Sequence, residues 1–114
     1  MRRNRILLVV IGAIFLATTL AMVVSAVLDS QTTHSITLTW NSPAPVEGVT
    51  LTGYNVYRST AAGGPYVPIA FNVSERAYKD TLVSGARTYY YVVTSVDSRG
   101  HESAYSEEIK TVIP

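Results

Sequence analysis

Four side chains that could support nucleophilic catalysis lie close together near the end of the chain. They are Ser98, His101, Glu102 and Ser103. A catalytic triad needs a nucleophile, a base and an orienting group that converge from separate elements, beside an oxyanion hole and a pocket. Neighbours on one exposed turn do not supply that geometry. The sequence therefore predicts solvated turn residues here and no enzymatic activity.

The sequence motifs predict neither a metal site nor a cofactor site. His34 and His101 lie far apart in the sequence, and neither belongs to a cluster with the spacing of metal ligands. No glycine-rich phosphate loop precedes a helical pattern. The chain contains no cysteine, which excludes disulfide bonds. We predict no metal, no cofactor and a domain that its core alone must stabilise.

Three segments of residues 35–96 alternate apolar and polar side chains with period two, and all are rich in β-branched or aromatic residues. They are 35–40 (SITLTW), 53–58 (GYNVYR) and 88–96 (TYYYVVTSV). This pattern is typical of strands with one buried face. The side chains predicted to face the core are Ile36, Leu38, Trp40, Tyr54, Val56, Tyr89, Tyr91 and Val93. Those predicted to face outward are Thr37, Thr39, Asn55, Tyr57, Tyr90, Val92 and Thr94.

Shorter strands are predicted between and after these segments, near 66–71, near 77–79 and from about 105 to 112. Turn signals separate them, including 62–65 (AGGP) and 97–100 (DSRG). No helical period occurs after residue 28. Closely spaced strands with intervening turns predict an all-β antiparallel sandwich of two sheets.

The N-terminal segment is strongly apolar. Arg2, Arg3 and Arg5 precede a run from Ile6 to Leu28 that carries no charge. As a helix this run would span roughly 34 Å, enough for a hydrocarbon core of about 30 Å. We predict a single membrane-spanning helix, with the arginines in the cytoplasm and the C-terminal domain outside. The small residues before Val27 leave an alternative, cleavage as a signal peptide that releases a secreted or periplasmic protein.

These patterns divide the chain into an anchor at 1–28, a spacer at 29–33 and a domain at 34–114. Three of the nine Lys and Arg residues precede Ile6, so the remainder holds six basic against eight acidic side chains. A slightly acidic domain without a basic patch is a poor partner for nucleic acid. We therefore predict that the domain does not bind nucleic acid.

Five segments together resemble a bacterial fibronectin type III domain. They are 34–40 (HSITLTW), 53–59 (GYNVYRS), 63–66 (GGPY), 88–93 (TYYYVV) and 102–106 (ESAYS). The resemblance implies an immunoglobulin-like sandwich of about seven strands, with Trp40 anchoring the core. It also implies that Tyr89 forms a tyrosine corner, its hydroxyl bonded to backbone a few residues upstream. The first strand of the family is barely present, and only residues 27–33 could supply a short one.

A possible contact face follows from the outward positions. Tyr57 and Tyr90 with Val92 would offer rigid amphipathic area to a protein or a glycan, and Arg99 and His101 are candidate loop contacts. A cross-strand aromatic pair that only stabilises the sheet is the alternative interpretation. The predicted function is a monomeric, non-catalytic interaction module outside the cytoplasm. The alternative is a passive spacer or a remnant of a longer multidomain protein.

Overall fold

The computed structural model describes residues 5–10, 14–15, 18–29 and 34–114, and within these ranges its regular elements are strands. In chain order they are β1 (Arg5–Val10), β2 (Ile14–Phe15), β3 (Thr18–Ala21), β4 (Val24–Asp29), β5 (Ser35–Trp40), β6 (Leu51–Ser59), β7 (Val67–Val73), β8 (Ala77–Asp80), β9 (Thr88–Asp97) and β10 (Ile109–Val112).

Seven of these strands form a sandwich of two antiparallel sheets. One sheet has the order β4-β5-β8, with β1 added beside β4, and the other has the order β10-β9-β6-β7. Strands β2 and β3 pair with each other. The predicted all-β, two-sheet sandwich is confirmed.

Apolar side chains from both sheets fill the space between them. In β5 the side chains of Ile36, Leu38 and Trp40 are buried, as the alternation predicts. The ring of Trp40 meets that of Tyr54 edge to face, with centroids 5.4 Å apart. The full set of buried core residues is Met22, Val24, Ala26, Ile36, Leu38, Trp40, Tyr54, Val56, Val83, Tyr89, Tyr91, Val93, Ile109 and Ile113.

A carboxylate links the two sheets inside this core. Asp80, at the end of β8, is 2% exposed. Its Oδ2 atom accepts hydrogen bonds from Arg58 Nη1 at 2.9 Å and Tyr91 Oη at 2.7 Å, and its Oδ1 atom accepts one from Leu82 N at 3.0 Å. Burial and the hydrogen bond to Asp80 raise the pKa of Tyr91. Burial opposes the charge of Arg58, but the bond to Asp80 outweighs it and raises the Arg58 pKa.

The prediction of a helix over residues 6–28 is wrong for the part of that segment that the structure describes. Those residues form β1, β2, β3 and most of β4. In the described ranges, no helix has the length and apolarity that a bilayer crossing requires. The uncharged run has only Thr18, Thr19 and Ser25 as polar side chains, too few to reveal a period, so the sequence alone cannot separate a helix from buried strands.

The first strand of the sandwich is complete and begins earlier than predicted. β4 pairs with β5 along its whole length, from Val24 opposite Trp40 to Asp29 opposite Ser35. Met22, Val24 and Ala26 alternate with less buried neighbours and enter the core. The sandwich therefore uses residues that the sequence analysis placed in the anchor. The predicted spacer at 29–33 lies outside the described residues except for Asp29.

The tyrosine corner is present. The Tyr89 hydroxyl accepts a hydrogen bond from the backbone N–H of Ser84 at 2.9 Å. The ring is buried, and the Arg58 guanidinium lies over it at 5.4 Å from the centroid. The hydroxyl thus ties the loop before β9 to the core.

Tyr89→Phe should lower the free energy of unfolding by about 1 kcal/mol, because it leaves the Ser84 N–H without its partner. Tyr90→Phe is the matched control on the next residue of β9, facing away from the core, and we expect almost no change. Urea unfolding followed by Trp40 fluorescence measures both. A larger loss for Tyr90→Phe would contradict the importance of the corner.

Candidate functional site

The predicted contact face is only partly available. Tyr57 and Tyr90 are half-buried, but Val92 is 1% exposed, so its assignment as a surface contact is wrong. Thr94 and Asn55, predicted to face outward, are buried as well. The physical reason is a layer of side chains from outside β6 and β9 on this face of the sheet, including Glu102 on Asn55 and Tyr105 on Tyr57, which the alternation within the two strands cannot reveal.

The chain after the β9 turn supplies part of that layer. Glu102 forms an isolated bridge with Val96, and the segment continues beside β9. The Ser103 N–H donates to Ser95 O at 2.9 Å, and the Ser106 N–H donates to Val93 O at 2.8 Å. These bonds place the backbone of residues 102–106 along the edge of β9, and the side chains of Glu102 and Tyr105 reach Tyr57 of β6.

Three tyrosine rings from separate elements meet there. Tyr57 of β6 packs edge to face on Tyr105 at a centroid distance of 5.1 Å, and Tyr66 packs on the same ring at 5.2 Å. We call these rings, together with Glu102 and Glu108, the outer tyrosine cluster. Tyr105 is its central ring and is 46% exposed.

Two carboxylates hold the rings of Tyr57 and Tyr66 through hydrogen bonds to their hydroxyls. The Tyr57 hydroxyl donates to Glu102, lying 2.8 Å from Oε1 and 2.7 Å from Oε2. The side-chain amide of Asn55 also donates to Glu102 Oε2. Glu108 accepts from the Tyr66 hydroxyl and from Gly63 N at 2.7 Å. Burial, followed by the bond to Glu102, raises the pKa of Tyr57 to about 12. Burial and Glu108 raise the pKa of Tyr66 in the same way.

Local sequence explains how Tyr66 reaches the cluster. Gly63 and Gly64 both adopt positive φ angles, of 77° and 94°, which side chains other than glycine rarely tolerate. A Cβ atom on Gly64 would lie 3.1 Å from the backbone nitrogen of Tyr66. The turn therefore depends on this glycine pair to present Gly63 N and the Tyr66 ring to Glu108.

The predicted loop contacts belong to a turn that Asp97 organises. Its Oδ1 atom accepts from Arg99 N at 2.9 Å and His101 N at 2.8 Å, and Oδ2 lies 3.2 Å from His101 Nδ1. The backbone bond from His101 is the main cause of the lowered Asp97 pKa. Both Arg99 and His101 are exposed. Their role in contacts stays a prediction.

The serines of this region have structural roles. Ser103 Oγ accepts from Ser95 N at 2.8 Å, and Ser106 Oγ accepts from Val93 N at 2.9 Å. Each hydroxyl takes the place of the backbone carbonyl that a paired strand would offer to an N–H group of β9. Among the described residues there is no cluster of three or more potential metal-ligating side chains. Neither the Ser103 nor the Ser106 hydroxyl contacts a basic side chain among the described hydrogen bonds.

Comparison with solved structures identifies the family. The chain superimposes on an Fn3-like protein from Clostridium thermocellum with a TM-score of 0.61 and 40% sequence identity, covering 70% of this chain and 77% of that one. The chain belongs to the fibronectin type III-like (Fn3-like) family. A pectate lyase, PelI, from Erwinia chrysanthemi shares the fold at a TM-score of 0.57 and 23% identity, covering 77% of this chain and 28% of that one. No family model matches the sequence.

Curated relatives of this Fn3-like chain are much longer proteins. An amylopullulanase from Thermoanaerobacter thermohydrosulfuricus is 51% identical over 57 residues, which cover 50% of this chain and 4% of that enzyme. An amylopullulanase from Thermoanaerobacterium saccharolyticum is 36% identical over 88 residues, covering 77% of this chain and 6% of the enzyme. The similarity is thus to a small part of each enzyme.

Sequence reasoning missed most of the cluster in this Fn3-like chain. It selected Tyr57 but not Tyr66, Tyr105 or Glu108, and it considered Glu102 only as a turn residue. Tyr66 and Tyr105 do occur in the segments that carry the family resemblance. The sequence analysis placed each at the start of a predicted strand, but the strands of the structure begin at Val67 and Ile109, and alternation does not predict the direction of a side chain outside a strand. Only the fold brings them together.

Proposed function

We propose that this chain is a non-catalytic, monomeric Fn3-like accessory module that acts outside the cytoplasm in a system that processes glycans. The observation that carries the proposal is the match to a small part of each amylopullulanase, at 36% identity over 88 residues in one case. A module that occupies 6% of an enzyme is too small to be its catalytic domain. Residues 24–28, which the sequence analysis placed in the predicted anchor, belong to β4 of the module.

The side-chain arrangement fits an accessory role. Two serine hydroxyls near the end of β9 are engaged by backbone N–H groups, and His101 is held by Asp97 on an exposed turn. Acyl or glycosyl transfer needs a free nucleophile or a pair of carboxylates that flank a bound substrate. Glu102 and Glu108 instead accept hydrogen bonds from the tyrosines beside them.

A passive spacer is the second candidate function, and one observation favours it. The hydroxyls of Tyr57 and Tyr66 are already satisfied within the chain. The outer tyrosine cluster would then serve only to stabilise the sheet, in which Tyr57 lies opposite Val92, by about 0.2–1 kcal/mol for each cross-strand pair. Under this interpretation the module has no ligand of its own.

The activity part of the proposal is tested by incubating the purified chain with pullulan and with amylose. We expect no release of reducing sugar, and size-exclusion chromatography should show a monomer. Glu102→Gln and Glu107→Gln are measured in parallel, the latter being an exposed carboxylate outside the cluster. Hydrolysis that Glu102→Gln abolishes and Glu107→Gln retains would overturn the proposal.

A further inference from the structure

We propose that the outer tyrosine cluster binds a neutral glycan chain, with Tyr105 as the central contact. This inference rests on the proposed accessory function and names the ligand class for one surface of the module. The centroids of Tyr57 and Tyr66 lie 5.1 and 5.2 Å from that of Tyr105, both pairs edge to face, so the three rings are contiguous and Tyr105 contributes an exposed aromatic surface. A pyranose ring has an apolar C–H face and a rim of hydroxyls, which suits such a surface with acceptors at its edge.

The cluster is organised before any ligand arrives. Glu102 holds the ring of Tyr57 and Glu108 holds that of Tyr66, and each glutamate receives a further hydrogen bond from Asn55 or Gly63. Rings held by their own hydroxyls lose little conformational entropy on binding. Tyr105 lies between them and exposes nearly half of its surface.

Two polar groups of the cluster remain available for hydrogen bonds to a ligand. Within the described part of the chain, Glu108 Oε1 and the Tyr105 hydroxyl have no hydrogen-bond partner, whereas Glu108 Oε2 has two donors. Sugar hydroxyls donate well to carboxylates, and a phenol can both donate to and accept from them. The site thus combines an aromatic surface with at least one unused charged acceptor.

Charge selects a neutral glycan over an anionic one. The contacts that the structure describes within the cluster include two carboxylates and neither Lys nor Arg. A uronic acid, sulfate or phosphate would meet the carboxylates of Glu102 and Glu108, and Lys110, two residues after Glu108 on β10, forms no ion pair with either of them among the described contacts. For the same reason, nucleic acid does not fit this surface.

The test is affinity electrophoresis of the full chain in native gels that contain pullulan, compared with gels that contain polygalacturonate. We expect pullulan to retard the parent and polygalacturonate not to do so. Tyr105→Ala should weaken the apparent affinity for pullulan by about fivefold or more, the effect of removing a central aromatic contact. Phe71→Ala is the matched control, because Phe71 is 64% exposed on β7 and belongs to no described aromatic pair.

A second measurement does not depend on the variant folding. In the parent with ring-labelled tyrosine, maltoheptaose should shift the Tyr105 resonances and leave those of Tyr78 unchanged. Absence of retardation by pullulan together with absence of these shifts would overturn the glycan site. Equal retardation by polygalacturonate would overturn it too, as would an equal loss of apparent affinity for pullulan in Phe71→Ala. The accessory role is tested separately, by the measurement of pullulan and amylose hydrolysis.

Discussion

Asp80→Ala should lower the free energy of unfolding by about 3–5 kcal/mol, the cost of removing one partner of a buried ion pair. The substitution leaves the Arg58 guanidinium without its carboxylate, and the Tyr91 hydroxyl and Leu82 N–H without an acceptor. Asp80 is the side chain that joins β8 to β6 and β9 across the core. A loss of this size approaches the whole stability of a small domain.

Urea unfolding of the full chain, followed by the fluorescence of the single tryptophan, measures this effect. Lys79→Ala is the matched control, since Lys79 precedes Asp80 on the same strand and is exposed. We expect the control to change stability by less than about 0.5 kcal/mol. Similar transitions for the two variants would show that the inter-sheet network contributes little.

Removal of residues 1–29 should destabilise the sandwich by several kcal/mol, whereas removal of residues 1–21 should be tolerated far better. The shorter deletion keeps β4, and the longer one removes Met22, Val24 and Ala26 from the core. Burial of each Met or Val side chain is worth about 1.5–3 kcal/mol. The longer deletion also exposes the edge of β5, which invites aggregation.

Thermal unfolding of the two truncated proteins, with light scattering to detect aggregation, measures the difference. A third protein that begins at Val27 reproduces the predicted signal-peptide cut. It lacks the three buried residues before Val27 and should resemble the longer deletion. Equal stability of all three proteins would mean that β4 adds nothing to the core.

The sequence by itself determined the side chains that fill most of the sandwich core. Ile36, Leu38 and Trp40 are buried as predicted because period-two alternation is a local property of a strand with one buried face. The tyrosine corner was also accessible, since Tyr89 occupies a fixed position in a recognisable family pattern and its hydroxyl bonds to backbone nearby in the chain.

Other features depend on contacts between residues that are distant in sequence, and only the tertiary structure decided them. The apolar N-terminal run is compatible with a helix or with strands, and pairing with β5 decides for a strand at Val24–Asp29. Val92 is buried although its position in β9 faces away from the core. The role of Asp80 has no local signal because the side chains that it links, Arg58 and Tyr91, come from β6 and β9. The outer tyrosine cluster likewise exists only where β6 and two loops converge, so no spacing along the chain could predict it.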